Sequence, residues 1–555
     1  MANRVTVTFS KVLLEYASNT HLPCSIKGTE IGSKLLPQPT PARVGNSDPP
    51  KMKRFLSLFT CLQKCALLLA AGALVQASSS GPLRIGTIRQ LFVDEFLIAS
   101  KQNVSLKLNN PVAREVVLRA DKPWEGQSLT YPCVFKDGDR FRLYYRASGP
   151  PIGSPPKLEQ GDKRQMWSYT ALAESGDGVH WTKPNLGIVD FQGSKQNNLV
   201  WPVDSQPGLD IFPFRDANPK ALPDERYKAL ANLGEHQLLA LSSPDGIRWS
   251  LLQKEPVMAY LPGNPMMDPP NLAFWDDNQQ LYVAYLRNWL NYRIRGFRRS
   301  TSKDFRHWTT PVEIDLGGSE IEHLYTNMTT AYERAPGIYF MFAKRFVPWR
   351  KADANWPYDG LSETVLLSSR DGQRFERAFM EPFVRPGLDP LNWHDRAIMM
   401  GRGILQTSLT ELSLYYFEHY RSDSIQLRRA TLRPDGFSSV SAPYSGGEFT
   451  TKPLVMEGAE LELNFSSSVS GWIRVEIQDD AGKPVPGFRL QDCDEIFGDQ
   501  LERVVTWRRG HADVLDESFK EIPNKSSDLS RALRGKTIQL RFAMKAADLY
   551  SFRFR

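Results

Sequence analysis

A short polar turn ending in an aromatic residue recurs along this 555-residue chain, and its even spacing constrains the fold more than any other feature. The copies are "AESGDGVHW" ending at Trp181, "SSPDGIRW" at Trp249, "STSKDFRHW" at Trp308 and "SSRDGQRF" at Phe375, with a degenerate fifth, "TLRPDGFSSV", around Asp435. Their aspartates, Asp177, Asp245, Asp304, Asp371 and Asp435, lie 68, 59, 67 and 64 residues apart. An interval this regular marks a repeat architecture. Asp and Ser side chains close such a turn onto backbone amides, and Gly supplies its left-handed residue. The marker aspartates are therefore read as structural, and each Trp as a cover for the seam between repeats.

Each marker is preceded by strands rich in aromatic and β-branched residues: "RFRLYYRA", "RYKALANL", "QLYVAYLR", "GIYFMFAKR" and "LSLYYFEHY". A further strand runs into the turn, as in "WSYTALAES", "HQLLALSS" and "TVLLSSR". Four short strands per repeat describe the blade of a β-propeller. A two-sheet sandwich explains the strands but not the period. The composition agrees, since 13 Trp, 19 Tyr and 29 Phe with 38 Gly and 39 Pro suit short strands and tight turns. The expected fold is all-β: a five-bladed propeller over residues 85–442, followed by a β-sandwich over 446–555 with strands such as "AELELNF" and "TIQLRFAMK". The early strand "RQLFVDEFLIAS", Gln90 to Ser100, is positioned to pair with the last blade and close the ring; Asp94 and Glu95 on it point to opposite faces.

The beginning of the chain reads as a leader. From Met52, Lys53 and Arg54 form a basic region, Ala66 to Val75 an apolar one, and Val75-Gln76-Ala77 a small-residue cleavage site. Residues 1–51 are then a non-native extension and 52–77 an export signal, too short in its apolar core to span a membrane. The expected location is periplasmic or extracellular. Removing the leader takes 9 of 69 bases and 3 of 62 acids, leaving 60 against 59. Balanced charge argues against a nucleic-acid or anionic-membrane partner. Only Cys133 and Cys493 of the five cysteines remain, so the core rather than disulfides must stabilise the fold. No CxxC, HExxH or His-rich spacing points to a metal, and no cofactor is expected.

The five-blade count, the S-x-D-G-x-x-W turns, the leader and the appended sandwich resemble the five-bladed propeller glycosidases of glycoside hydrolase families 32 and 43. The segments "LFVDEFLI", "KPWEGQ", "FRDANP", "DERYKAL", "LYTN", "ELSLY" and "RRATLRPDGF" also resemble a set of secreted planctomycete proteins with no established substrate. The first resemblance implies a funnel in which carboxylates at the starts of successive innermost strands surround a sugar. One carboxylic acid protonates the leaving oxygen while another acts as nucleophile or activates water. The acids at those places here are Glu125 in blade one, Asp210 and Asp216 in blade two, Asp268 in blade three, and Glu320 and Glu322 in blade four. This sequence departs from the family pattern in blade one, where Thr130-Tyr131-Pro132 replaces the Asn-Asp-Pro or Gly-Asp-Pro triplet. The Arg-Asp-Pro triplet of family 32 survives only in parts, as Arg215-Asp216 and Asp268-Pro269. What carries over is the location.

Among these acids Asp268 stands before an apolar strand, where partial burial would raise a carboxyl pKa, although a turn-capping role is the bland alternative. Glu322 is the candidate general acid, with His323, Tyr325 and Asn327 as sugar-binding donors. Glu125 beside Trp124 could join an acid to a stacking face, or be an ordinary loop residue. Asp210 and Asp216 compete for the blade-two place. Arg345 and Arg396 suit a carboxylate or sulfate on an acidic sugar, since guanidinium binds such groups in a bidentate fork. Two functions of different class follow: a glycoside hydrolase acting on a poly- or oligosaccharide, or a non-catalytic carbohydrate-binding or scaffold propeller. A sialidase-like propeller fits less well, because that class has six blades and separates the Asp and Gly of its turn.

Overall fold

The computed structural model describes residues 81–149, 168–202, 209–233, 237–259, 268–290, 293–508, 514–515, 521–522, 525–529 and 533–555. The readings for residues 1–77 lie outside these. Five antiparallel sheets follow one another at the marker period. Blade one is Leu129–Asp137, Arg140–Ser148, Ser168–Ser175 and Leu199–Trp201. Blade two pairs Leu209–Ile211 and Phe214–Arg215 with Tyr227–Leu233, then Gln237–Ser243 and Ser250–Leu251. Blade three is Leu272–Asp276, Leu281–Leu290, Ile294–Ser302 and Val312–Glu313. Blade four is Thr329–Ala331, Tyr339–Val347 and Leu361–Ser369, with an outer segment bridged at Glu376 and Val384. Blade five is Met399–Met400, Leu405–Ser408, Glu411–Glu418 and Gln426–Leu432. The five-bladed propeller is thus present. No helix among the described residues is long and apolar enough to cross a membrane.

The markers act as the sequence chemistry predicts. In the second copy the Ser243 hydroxyl accepts from the Gly246 amide at 2.9 Å, and Asp245 Oδ1 accepts from Ile247 and Arg248 at 2.8 Å each. Trp249 folds back and donates to the Gly246 carbonyl at 3.0 Å. That carbonyl also accepts from the hydroxyl of Tyr144, on the second strand of the preceding blade, at 2.8 Å. The same stitch joins blade three to four, Tyr285 to Gly372 at 2.7 Å, and blade five to one, Tyr415 to Gly178 at 2.6 Å. Glycine is required twice over at these places. Its φ is +76° at Gly246, and a Cβ there would lie 2.7 Å from the Tyr144 hydroxyl and collide with Arg142. Where blades two and three meet, both partners change together: Leu230 replaces the tyrosine and Phe305, at φ 63°, replaces the glycine in an apolar seam. At the last junction Phe342 stands in the tyrosine's place and Asp435, also at φ 63°, in the glycine's. The fifth marker is therefore offset by one residue: Asp435 occupies the glycine position rather than that of the other aspartates.

Ring closure differs from expectation. The outer strand of blade five is Val112–Arg119, antiparallel to Gln426–Leu432, and not Gln90–Ser100. Leu427 and Leu118 are opposite each other and both buried, which sets this register. Strands from 83 to 108 instead join a ten-stranded sheet with residues 438–554. Gln90–Leu91 pairs with the long strand Thr537–Phe554, and Ile98–Gln102 with Gly447–Thr451. Thr537–Phe554 and Leu461–Gln478 run antiparallel along their lengths and interrupt their register between Ser467 and Trp472. Phe92, Phe449, Phe542 and Phe552 meet in the core of this sheet. Asp435 ties the two parts together, accepting from Tyr332 at 2.8 Å, Arg334 at 3.0 Å and Ser551 at 2.9 Å.

The glycine requirement is testable by comparison. Gly138 also has positive φ, 66°, but open space where a Cβ would go. Gly138→Ala should cost about 1 kcal/mol, the left-handed penalty alone. Gly246→Ala should cost at least ~2 kcal/mol in denaturant unfolding, because overpacking adds to it. Equal losses would remove the stitch as its cause.

Candidate active site

The marker serves as a ruler for the other end of each blade. Thr170, Leu238, Phe297 and Thr364 each lie five residues before a marker serine. Opposite them on the second strand stand Arg146, Asn232, Arg287 and Lys344. In blade five, Phe417 faces Leu427, five residues before Leu432. One equivalent position on the second strand thus carries a cation in three blades. Arg287 and Lys344 are each 4% exposed, so these groups face inward, not to bulk water.

The innermost strands bring their own groups to these cations. In blade one the register slips between Thr130 and Cys133, leaving Tyr131 at φ 56°. In blade two it slips between Leu209 and Ile211, leaving Asp210 at φ 52°. A bulge of this kind turns a side chain out of the alternation of its strand. Arg396, before the first strand of blade five, has φ 54°. Left-handed Tyr, Asp and Arg residues are strained, and strain of this kind collects at functional sites.

The resulting cluster draws on all five blades. Arg146 lies 3.0 Å from Asp210 and bonds Ser168 at 2.9 Å. Arg287 pairs with Asp268 and donates to the Pro269 carbonyl at 2.7 Å. Tyr325 has Arg287 at 4.4 Å, Arg295 at 4.6 Å and Lys344 at 5.6 Å from its ring centre. Arg396 and Arg421 reach Asp395 at 2.8 and 3.5 Å, and Lys344 donates to the Arg396 carbonyl at 3.1 Å. Burial raises the Asp210 pKa against the pull of Arg146, and the charge of Asp268 raises it further. Burial also acts on Tyr325, but Arg287, Arg396 and Arg295 outweigh it and draw the phenol down. Tyr131, buried and facing Tyr325 and Asp268, is pushed well up.

Of the residues chosen from sequence, the cluster contains Asp210, Asp268, Tyr325 and Arg396. The others are placed elsewhere. Glu125 is fully buried, accepting from the Asp121 and Lys122 amides at 2.9 and 3.0 Å and from Tyr145 at 2.6 Å, with Lys183 at 2.6 Å. Trp124 joins the same network through Asn198, at 2.7 Å, and packs against Phe191 with ring centres 6.3 Å apart. Asp216 sits at the marker end of blade two, buried against Lys228 at 2.6 Å and Tyr282 at 2.7 Å. Glu322 is held by Arg345 at 3.0 Å and by Arg377 of the outer segment of blade four at 2.7 Å. Arg345 is shared with Glu363, 2.9 Å away, and points off the cluster because Lys344, the next residue, points into it. His323 accepts weakly from the Arg295 amide at 3.4 Å, and burial with Arg295 beside it lowers its pKa. Asn327 is buried between blades and donates to the carbonyls of Pro270 and Tyr285. Asp94 pairs with Arg370 beside the fourth marker, where a groove of about 680 Å³ opens away from the cluster.

Tyr131, Arg146, Arg287, Arg295, Lys344 and Arg421 were missed. For Arg146, Arg287 and Lys344 the signal existed: a cation on the second strand at the same offset from the marker in three of the five blades.

Neither a known protein family nor a curated protein matches the chain. Solved structures are similar to it. An N-acetylgalactosamine deacetylase from F. plautii, in complex with blood group B trisaccharide, matches at TM-score 0.39 and 13% identity over 60% of this chain and 96% of that one. A glycoside hydrolase family 43 arabinoxylan arabinofuranohydrolase from Bacillus subtilis, in complex with cellotetraose, matches at 0.37 and 10% over 80% and 99%. A fructofuranosidase from Schwanniomyces occidentalis, complexed with fructosylnystose, matches at 0.35 and 10% over 85% and 99%. At such identity no site residue is carried across.

The structural role of Glu125 makes its own prediction. Lys183→Met strands a fully buried carboxylate and should cost roughly 3–5 kcal/mol in denaturant unfolding. A loss under about 1 kcal/mol would return Glu125 to the candidates.

Proposed function

We propose that this protein is an exported glycoside hydrolase that cleaves a poly- or oligosaccharide in the propeller funnel, with Asp210 and Asp268 as its carboxylate pair. The observation that carries this reading is that the two acids, from adjacent blades, each stand against an arginine of a second strand, Arg146 and Arg287, within one cluster of groups from all five blades. Asp210, whose pKa is raised by burial, is suited to give a proton to the leaving oxygen. Asp268, paired with Arg287, supplies the carboxylate that attacks the anomeric carbon or activates water. Tyr131 and Tyr325 offer hydroxyls to a sugar. The leader at residues 52–77 is the basis for export. Engagement of both acids by arginines also favours the second reading, a propeller that binds carbohydrate without cleaving it.

The test is a glycan screen on the chain from Ser78. Asp268→Asn and Asp210→Asn should each lower kcat at least ~100-fold, the general acid–base range, with thermal stability retained. Glu322→Gln should stay within about three-fold of the parent. A general acid must be protonated, so kcat/KM should fall as pH rises through the Asp210 pKa, and Asp210→Asn should abolish that limb. Glycan binding with no cleavage under any condition would establish the binding reading instead.

A further inference from the structure

The cluster holds more positive than negative groups. Arg146, Arg287, Arg295, Lys344, Arg396 and Arg421 converge on it, against Asp210, Asp268 and Asp395. Taken pair by pair, Arg146 is matched to Asp210, Arg287 to Asp268, and Arg396 with Arg421 to Asp395. Arg295 and Lys344 remain, and no ion pair among the described residues includes either. Arg295 is held by aromatic faces, 4.3 Å from Trp289, 4.6 Å from Tyr325 and 5.1 Å from Phe346, and its buried Nε has no hydrogen-bond acceptor. Aromatic faces hold a guanidinium in place while leaving its N–H edge for a ligand. Lys344 has one carbonyl acceptor and is nine-tenths buried. A buried cation without a counter-ion is costly: burial and the neighbouring Arg396 and Arg287 hold the Lys344 pKa well below its usual value, and an arriving anion favours the charged form again.

Resting on the hydrolase reading, we infer that the sugar bound in this funnel carries an oxyanion, a uronate carboxylate or a sulfate ester, which Arg295 and Lys344 receive. The geometry suits one sugar ring. Arg295 and Arg287, the partner of Asp268, both stand within 5 Å of the Tyr325 ring centre, so the anion site borders the reacting pair. A neutral sugar would leave both cations as they are in the free protein. An acidic one would complete two charge-assisted contacts.

The experiment uses the unsubstituted chain from Ser78 with thio-linked, uncleavable oligosaccharides, so that binding is read without cleavage and Arg287 keeps Asp268 as its partner. Calorimetry would compare oligogalacturonate with its fully methyl-esterified form, and sulfated galactan oligomers with desulfated ones. One acidic form should bind at least ten-fold more tightly than its neutral counterpart, and whichever it is identifies the oxyanion. Arg295→Gln and Lys344→Met should each remove most of that preference. Equal affinity for acidic and neutral forms overturns the inference, and because this comparison needs no funnel-cation variant it stands even if those variants fold poorly. Acidic preference without cleavage by the unsubstituted chain keeps the inference and overturns the hydrolase reading. Cleavage without charge preference does the reverse.

Discussion

The ring depends on a hydrogen bond between a tyrosine hydroxyl in one blade and a turn carbonyl in the next. It fixes how closely adjacent sheets approach, because the tyrosine lies two residues before the inward-facing position of the same strand. Tyr144 precedes Arg146, Tyr285 precedes Arg287, and Tyr415 precedes Phe417 in this way. Docking the tyrosine therefore aims the inner residue. At the two junctions without the bond, Leu230 and Phe305 share an apolar seam in one, and Phe342 and Asp435 take the tyrosine and glycine positions in the other. Architecture and site are set by the same strands, two residues apart.

The period was legible because each marker is made of local turn chemistry, which the sequence displays directly. Closure of the ring was not. Gln90–Ser100 and Val112–Arg119 both have the composition of a strand, and the choice rests on distant pairings such as Leu118 with Leu427 and Arg119 with Gln426. The site was legible in part. Asp210, Asp268, Tyr325 and Arg396 could be found by asking what stands near the start of each innermost strand. Glu125 misled because an acid next to a tryptophan looks like a sugar platform, whereas the amides three and four residues before it capture the carboxylate. Bulges were invisible: nothing in "LTYPC" or "GLDIF" announces that one residue will be left over when the strands pair.

The cluster also departs from the usual economy of a protein interior. Four left-handed residues, Tyr131, Asp210, Arg396 and Arg421, and a lysine without a carboxylate partner gather at one end of a ring whose other end is closed by well-satisfied turns. Stable packing and unfinished electrostatics are separated along the length of each blade. The marker end holds the fold, so the opposite end is free to carry strain and charge.

Residues 83–119 thread both halves of the molecule. Their first strands belong to a sheet completed by Thr537–Phe554, and their last closes a blade begun at Met399. During synthesis this stretch emerges early and must wait for partners made more than 300 residues later. The propeller can close once Gln426–Leu432 has been made, whereas the sheet that begins at Leu83 stays unfinished until its last strand, Thr537–Phe554, has emerged.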